Sequence, residues 1–175
     1  MIADHHIFIE ICIIIHVWII FFCMDFNILV GTMTGTAELV AEEIDIFFNN
    51  SGHKSDITLI DSFNHDELEN IKNLVICSST YGQGDVPDGS QSFYDFLSNS
   101  KSNLAHLRYG VFALGDMTYA ETFCFGGRKF DEALSQLNAQ KVIDTFCHNA
   151  SDGSLPEEHA PDWAKDFLKN ISEKK

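Results

Sequence analysis

Chemistry could begin at Thr32-Met33-Thr34-Gly35-Thr36-Ala37-Glu38. Three threonines alternate through this stretch, so several hydroxyl donors can converge on one anion. Gly35 lets a backbone approach closely. A short apolar run precedes the stretch and a helical pattern follows it. The loop therefore ends at a helix start, where unpaired N–H groups and the positive end of the dipole favour negative charge. No Lys is present, so this is not the Gly-x-x-x-x-Gly-Lys-Ser/Thr loop of nucleoside-triphosphate enzymes. Neutral donors suit a phosphate that is held and never transferred. Taken alone, the same residues also read as a Thr-rich turn with an ordinary N-cap.

Two further loops carry polar and aromatic residues. Ser78-Ser79-Thr80-Tyr81-Gly82-Gln83-Gly84-Asp85-Val86-Pro87-Asp88 is broken by two glycines and a proline. Leu114-Gly115-Asp116-Met117-Thr118-Tyr119 runs on to Thr122-Phe123-Cys124. Each loop offers a tyrosine. In isolation Tyr81 and Tyr119 would more often cap a core. Asp85 and Asp88 are ordinary turn formers, and Cys124 reads as a small buried hydrophobe.

The elements around these loops alternate. Residues 26–31 form a continuous apolar run closed by Gly, as expected of a strand buried on both faces. Val40, Ala41, Ile44, Phe47 and Phe48 then recur at helical spacing, until Asn49-Asn50-Ser51-Gly52 stops the helix. Residues 55–59 predict a weaker second strand, and 61–71 a polar helix with Phe63, Leu68 and Ile71 on one face. Residues 74–77 predict a third strand. Phe93, Phe96 and Leu97 mark a helix that fades over 98–102. A fourth strand is expected at 109–114, a helix at Phe130, Ala133, Leu134 and Leu137, and a fifth strand at 141–147. A last helix over 162–171 presents Trp163, Phe167 and Ile171.

Strand and helix thus alternate five times. Right-handed crossovers turn this into an α/β doubly wound five-stranded parallel sheet with helices on both faces. Such sheets bind ligands at the carboxyl ends of their strands, at the topological switch point. The three loops follow strands one, three and four, so all of them lie at that end.

The totals narrow the function. A chain of 175 residues with 45% hydrophobic residues and 15 Phe suits one folded domain. A formal net charge of −15 argues against nucleic acid as a partner. It suits either a basic protein partner or simple solubility. Five cysteines without a Cys-x-x-Cys pair fit a reducing compartment and no zinc or iron–sulfur site. The eight His are scattered, which leaves no metal site to expect.

Residues 1–23 read unlike the rest. Residues 7–22 are almost all apolar but too short for a spanning helix, which needs roughly 20 residues. Glu10 would be costly at mid-bilayer. The first Lys or Arg of the chain is Lys54, so the positive n-region of a secretory signal is missing. Three readings stay open: an extension ahead of a domain spanning 24–175 with Met24 as its true start, a short membrane anchor over 7–23, or an extra element packed on the domain.

Taken together, the three loops resemble those of the flavodoxin family. Residues 32–38 resemble its FMN-phosphate loop. Ser79-Thr80-Tyr81-Gly82-Gln83-Gly84-Asp85 resembles the first isoalloxazine loop, and the stretch from Leu114 to Cys124 resembles the second. The subgroup that looks most similar is the MioC-like small bacterial flavodoxins, through Gly84-Asp85-Val86-Pro87-Asp88, Phe93-Tyr94 and Leu155-Pro156-Glu157. The FMN domains of diflavin reductases are similar in the same loops.

The resemblance implies strand order 2-1-3-4-5 with FMN at the switch point. It implies that Thr32, Thr34, Gly35, Thr36 and Ala37 hold the phosphate, with Met33 an unusually long residue inside that loop. Tyr81 and Tyr119 would stack on the two flavin faces. Gly82 would present its carbonyl to the flavin N5–H. Ser79, Thr80, Gly84, Leu114, Gly115, Asp116, Phe123 and Cys124 would complete the ring site. The implied function is single-electron shuttling between an NADPH-dependent flavodoxin reductase and acceptor enzymes, which dock on an acidic surface. No side chain is then required as acid, base or nucleophile. The alternative is an FMN-dependent NAD(P)H:quinone oxidoreductase on the same fold. Either would be cytoplasmic, or membrane-tethered if residues 7–23 act as an anchor. A phospho-receiver domain would need Asp at the end of the third strand, where this chain has Ser78-Ser79.

Overall fold

The computed structural model describes residues 23–173. The expectations for residues 1–22 lie outside the described residues. Strand β1 (Asp25–Gly31) places Phe26, Ile28, Leu29 and Val30 in the core from both faces. Beside it run β2 (Lys54–Leu59) and β3 (Asn73–Ser78), and β4 (Arg108–Gly115) lies next to β3. The order is β2-β1-β3-β4 and then the last strand position, with every pairing parallel. Strand β3 is buried throughout, whereas β2 is an edge strand that leaves Ile57 and Leu59 partly exposed.

Helices α1 (Thr36–Asn50) and α4 (Pro156–Glu173) cover one face of the sheet. Their core is aromatic: Phe26 stacks on Phe48 with ring centroids 4.1 Å apart, and Trp163 stacks on Phe167 at 5.3 Å. Helices α2 (Gln91–Asn99) and α3 (Phe125–Gln136) cover the other face, around Phe93, Tyr109 and Phe130.

Three expectations about element boundaries change. Residues 61–71 do not form a helix. They form two short 3-10 turns, Ile60–Ser62 and His65–Asn70, separated by an extended Phe63. The Asn64 side chain accepts the Asp66 N–H at 3.3 Å, and such local bonds compete with helix formation. Phe63, Leu68 and Ile71 are buried nonetheless, because the crossover still has to cover the sheet.

The fifth strand is split into β5 (Gln140–Lys141) and β6 (Phe146–Asn149), both paired with β4. Between them Thr145 Oγ1 and Lys141 Nζ converge on Asp131 Oδ2 at 2.8 and 2.6 Å. This draws the chain out of the ladder toward α3. The last helix begins at Pro156, earlier than expected, and continues through Pro161. Proline is well tolerated at a first helical position, and the buried Ala160, Trp163, Ala164, Phe167 and Ile171 hold the helix past the second one.

Candidate functional site

The strand register lines up the carboxyl ends. Gly31 pairs with Ser78, Ser78 with Ala113, and Gly115 with Asn149. Four loops therefore leave the sheet side by side, and they surround a cavity of about 600 Å³. Its walls come from Thr34 and Thr36, from Ser79 to Gly82, from Leu114 to Asp116 with Tyr119 and Thr122, and from His148, Ala150, Ser154, Leu155 and Pro156.

The first loop is an open anion cradle. Gly35 adopts φ +87° as the N-cap of α1, a conformation costly to a residue with a Cβ. Its N–H donates to Thr32 Oγ1 at 2.9 Å, and its carbonyl receives the N–H groups of Glu38 and Leu39. No side chain caps the helix. The first N–H groups of any helix lack intrahelical partners, and Thr36 and Ala37 are the first two residues of α1. The Thr34 and Thr36 hydroxyls are 3.4 Å apart there.

The second loop folds back on itself. Tyr81 and Asp85 exchange backbone hydrogen bonds of 2.9 and 2.7 Å, with Gly82 and Gly84 both at positive φ. Thr80 Oγ1 donates to the Leu114 carbonyl at 2.9 Å and accepts the Gly126 N–H at 3.2 Å, tying this loop to β4 and α3. A Cβ on Gly126 would lie 2.3 Å from the Ser79 carbonyl oxygen, so only glycine allows this approach. Lys129 Nζ sits 2.8 Å from Asp85 Oδ1, and that bond holds the carboxyl below its ordinary range.

The third and fourth loops are clasped together. Asp116 Oδ1 accepts the Ser151 hydroxyl and, at 2.8 Å, the Thr118 N–H. Asn149 Oδ1 accepts the Met117 N–H at 2.8 Å. The Ser151 bond, then those from Thr118, keep the Asp116 carboxyl below its usual range. A depressed folded value means that the clasp is at full strength above the ordinary Asp value of about 3.9. It is lost as pH falls through the lower folded value. We expect the Thr118 amide to lose exchange protection below about pH 4 while global stability hardly changes, since the group is exposed. Unchanged protection in amide exchange down to about pH 2 would contradict this.

Behind this clasp Ser154 Oγ donates to Asp152 Oδ1 at 2.6 Å and lies 3.0 Å from His148 Nε2 and 3.1 Å from His159 Nε2. With its proton committed to Asp152, the hydroxyl has two lone pairs left, and these accept N–H from both imidazoles.

Two aromatic side chains stand open on the cavity walls: Tyr81 is 47% exposed and Tyr119 68% exposed. A flat ring between them would bury both. Among the lining residues none is Lys or Arg, and Asp116 is the one carboxylate.

The structure distributes the expected site residues unevenly. Thr34, Thr36, Ser79, Thr80, Tyr81, Gly82, Leu114, Gly115, Asp116 and Tyr119 meet on the main cavity. Thr32, Met33 and Gly35 line a smaller neighbouring hollow of about 210 Å³, so the long Met33 side chain faces away from the main cavity. Ala37 and Cys124 are fully buried beneath the loops, Gly84 is buried within its turn and Phe123 is half-buried; none of the four lines either space. Residues 148–156 were not expected at the site. The signal was available, because a fifth parallel strand must also deliver its following loop to the same end of the sheet.

The flavodoxin family profile matches residues 28–169. This chain belongs to the flavodoxin family. It is 35% identical over 148 residues to flavodoxin YqcA of Escherichia coli (strain K12), covering 82% of this chain and 95% of that protein. It is 29% identical over 148 residues to the MioC homolog of Haemophilus influenzae, covering 85% of this chain and 99% of the homolog. The NADPH sulfite reductase flavoprotein alpha-component of Bacillus subtilis is 32% identical over 151 residues. That match covers 85% of this chain but 24% of the larger protein. Among solved structures, a cysteine-to-serine mutant of flavodoxin from Pseudomonas aeruginosa superposes with a TM-score of 0.77 at 28% identity, covering 85% of this chain and 99% of that one.

Family membership implies FMN as the cofactor and electron transfer as the class of function. The open cradle at α1 and the two exposed tyrosines fit that group: one end offers donors to a phosphate, the other offers ring faces. The similarity to reductase-linked domains implies redox partners in general terms. No helix among the described residues is long and apolar enough to cross a membrane.

Proposed function

We propose that this flavodoxin carries single electrons between an NADPH-dependent flavodoxin reductase and acceptor enzymes. The observation that carries the reading is the shared cavity of an uncapped, hydroxyl-lined helix start and two exposed tyrosines. Bound FMN supplies the one-electron redox chemistry, and the protein supplies position and electrostatics. Thr34 and Thr36 donate hydroxyls to the phosphate. The N–H groups at the start of α1 add to them, with Gly35 setting the turn and Thr32 bracing it. Tyr81 and Tyr119 hold the ring and shield it from water; such an aromatic contact contributes about 0.5–1.5 kcal/mol beyond area burial. The Asp116 carboxylate and the net charge of −15 make added negative charge on the ring costly. No residue of the cavity acts as nucleophile or general base in this scheme.

Absorbance of the purified protein and fluorescence quenching on FMN titration test the cofactor assignment; a protein that takes up no FMN would defeat it. Mixing the loaded protein with NADPH alone separates a carrier from a quinone reductase: a carrier stays oxidised until a reductase is added. Partners dock on an acidic surface around the ring edge, in a weak encounter typical of electron transfer. Salt from about 0.01 M to about 1 M shortens the Debye length from about 30 Å to about 3 Å. Transfer from a reductase should slow several-fold over that range, and a salt-independent rate would refute the docking scheme.

We assign the FMN-binding domain to residues 24–175 and the working compartment to the cytoplasm, in line with five cysteines that form no Cys-x-x-Cys pair. Mass analysis of the N-terminus and cell fractionation test the two assignments.

A further inference from the structure

Behind the cavity two cysteines meet at the junction of β4, β6 and α3. Cys124 is the N-cap of α3, held at φ +58° and fully buried. Its Sγ lies 3.6 Å from the Ala113 carbonyl oxygen and 3.6 Å from that of His148. Cys147 sits between those two groups in the ladder: it pairs in register with Ala113 across the sheet and precedes His148 in the chain. Cys124 Sγ therefore lies against the backbone on both sides of Cys147: the strand it pairs with and the residue that follows it. Arg128 lies one turn along α3, and its Nη2 is 3.8 Å from Cys147 Sγ.

The two sulfurs differ in the way that disulfide exchange requires. Cys147 is partly exposed, whereas Cys124 is not exposed at all. The Cys124 thiol and the Arg128 guanidinium hold the Cys147 thiol below its ordinary value, against the opposing effects of partial burial and the Asp131 carboxylate. Cys124 is pushed up by the Cys147 thiol and by burial. Exposed thiolates attack, and buried thiols wait. Cys77 offers a contrast, since it is buried on β3 and raised by desolvation alone.

We infer that Cys124 and Cys147 form a reversible dithiol–disulfide site that accepts small aliphatic disulfides as oxidant. The Cys147 thiolate attacks one sulfur of the small disulfide. That S–S bond breaks, one small thiolate leaves, and a mixed disulfide remains on Cys147. Cys124 then gives up its proton to the medium and attacks the Cys147 sulfur, expelling the second small thiolate. The protein loses two protons and two electrons, and the small disulfide becomes two thiols. A small dithiol reverses the sequence. The site uses no part of the FMN cavity, so it stands or falls apart from the cofactor assignment.

The test uses the full reduced chain and oxidised glutathione, followed by acid quenching, alkylation and peptide mapping. We expect a peptide pair joined through Cys124 and Cys147, while Cys77 stays free and alkylatable only after unfolding. In Cys124→Ser the glutathione adduct should stop on Cys147. In Cys147→Ser, Cys124 should remain unmodified. Wild-type protein in which both thiols stay free overturns the inference, and so does a glutathione adduct that persists on wild-type Cys147. The wild-type map decides even if a variant folds poorly.

Discussion

A chain carrying both Thr34→Ala and Thr36→Ala will bind FMN about a hundred-fold more weakly, or worse, while folding as the parent does. A hydrogen bond to a charged group contributes about 1.5–3 kcal/mol, and each 1.4 kcal/mol is a factor of about ten in affinity. Two lost donors therefore remove about two orders of magnitude or more. The fold should not notice. The two hydroxyls are partnered with each other at 3.4 Å, and neither caps α1. Alanine is also a good helix former at position 36. Fluorescence titration gives the affinity and a urea melt gives the stability. Unchanged affinity would remove the phosphate from this loop. A collapsed melt would mean that the threonines are structural. Each single variant should lose about ten-fold, which distinguishes two donors from one dominant one.

Phe167→Ala should reduce the unfolding free energy by about 3–5 kcal/mol. The ring is fully buried and stacks on Trp163 at 5.3 Å, with Phe26 and Phe48 at 6.1 and 6.2 Å. It is therefore shared by α4, α1 and β1, and none of them can close the space alone. Domains are stable by only about 5–15 kcal/mol, so the loss is a large share of the total. Urea denaturation with an unchanged slope should record it as a shift in midpoint. Leu155→Ala is the control: that side chain is 54% exposed, and its removal should stay within about 0.5 kcal/mol. A loss below about 1 kcal/mol for Phe167→Ala would mean that α4 is not docked as described.

Most of the frame is legible in the chain because its signals are local. The apolar runs at β1, β3 and β4 are long enough to require burial on both faces, and the spacing of Val40, Ala41, Ile44 and Phe48 admits little but a helix. Expectation and structure part where local preference and tertiary demand disagree. Residues 61–71 carry a helix-like set of apolar residues, yet Asn64 bonds its own backbone and the segment settles into 3-10 turns. The break between β5 and β6 depends on Asp131, ten residues before Lys141, and no local pattern announces it. The early start of α4 hides behind Pro161, which reads as a helix boundary until the packing of Ala160 and Trp163 is known.

The site divides in the same way. Residue types alone establish the hydroxyl-rich turn at residues 32–38 and the two tyrosines in glycine-bearing loops. Strand direction, which a chain of alternating elements imposes, then places all three loops at one end of a parallel sheet. Folding was needed to show that residues 148–156 complete the cavity and that Met33 faces a separate hollow. It was needed again to bring Cys124 beneath the site and against the strand that carries Cys147. Those facts depend on which side chains of distant segments meet. Register and packing between strands set that, and no single stretch of sequence contains it.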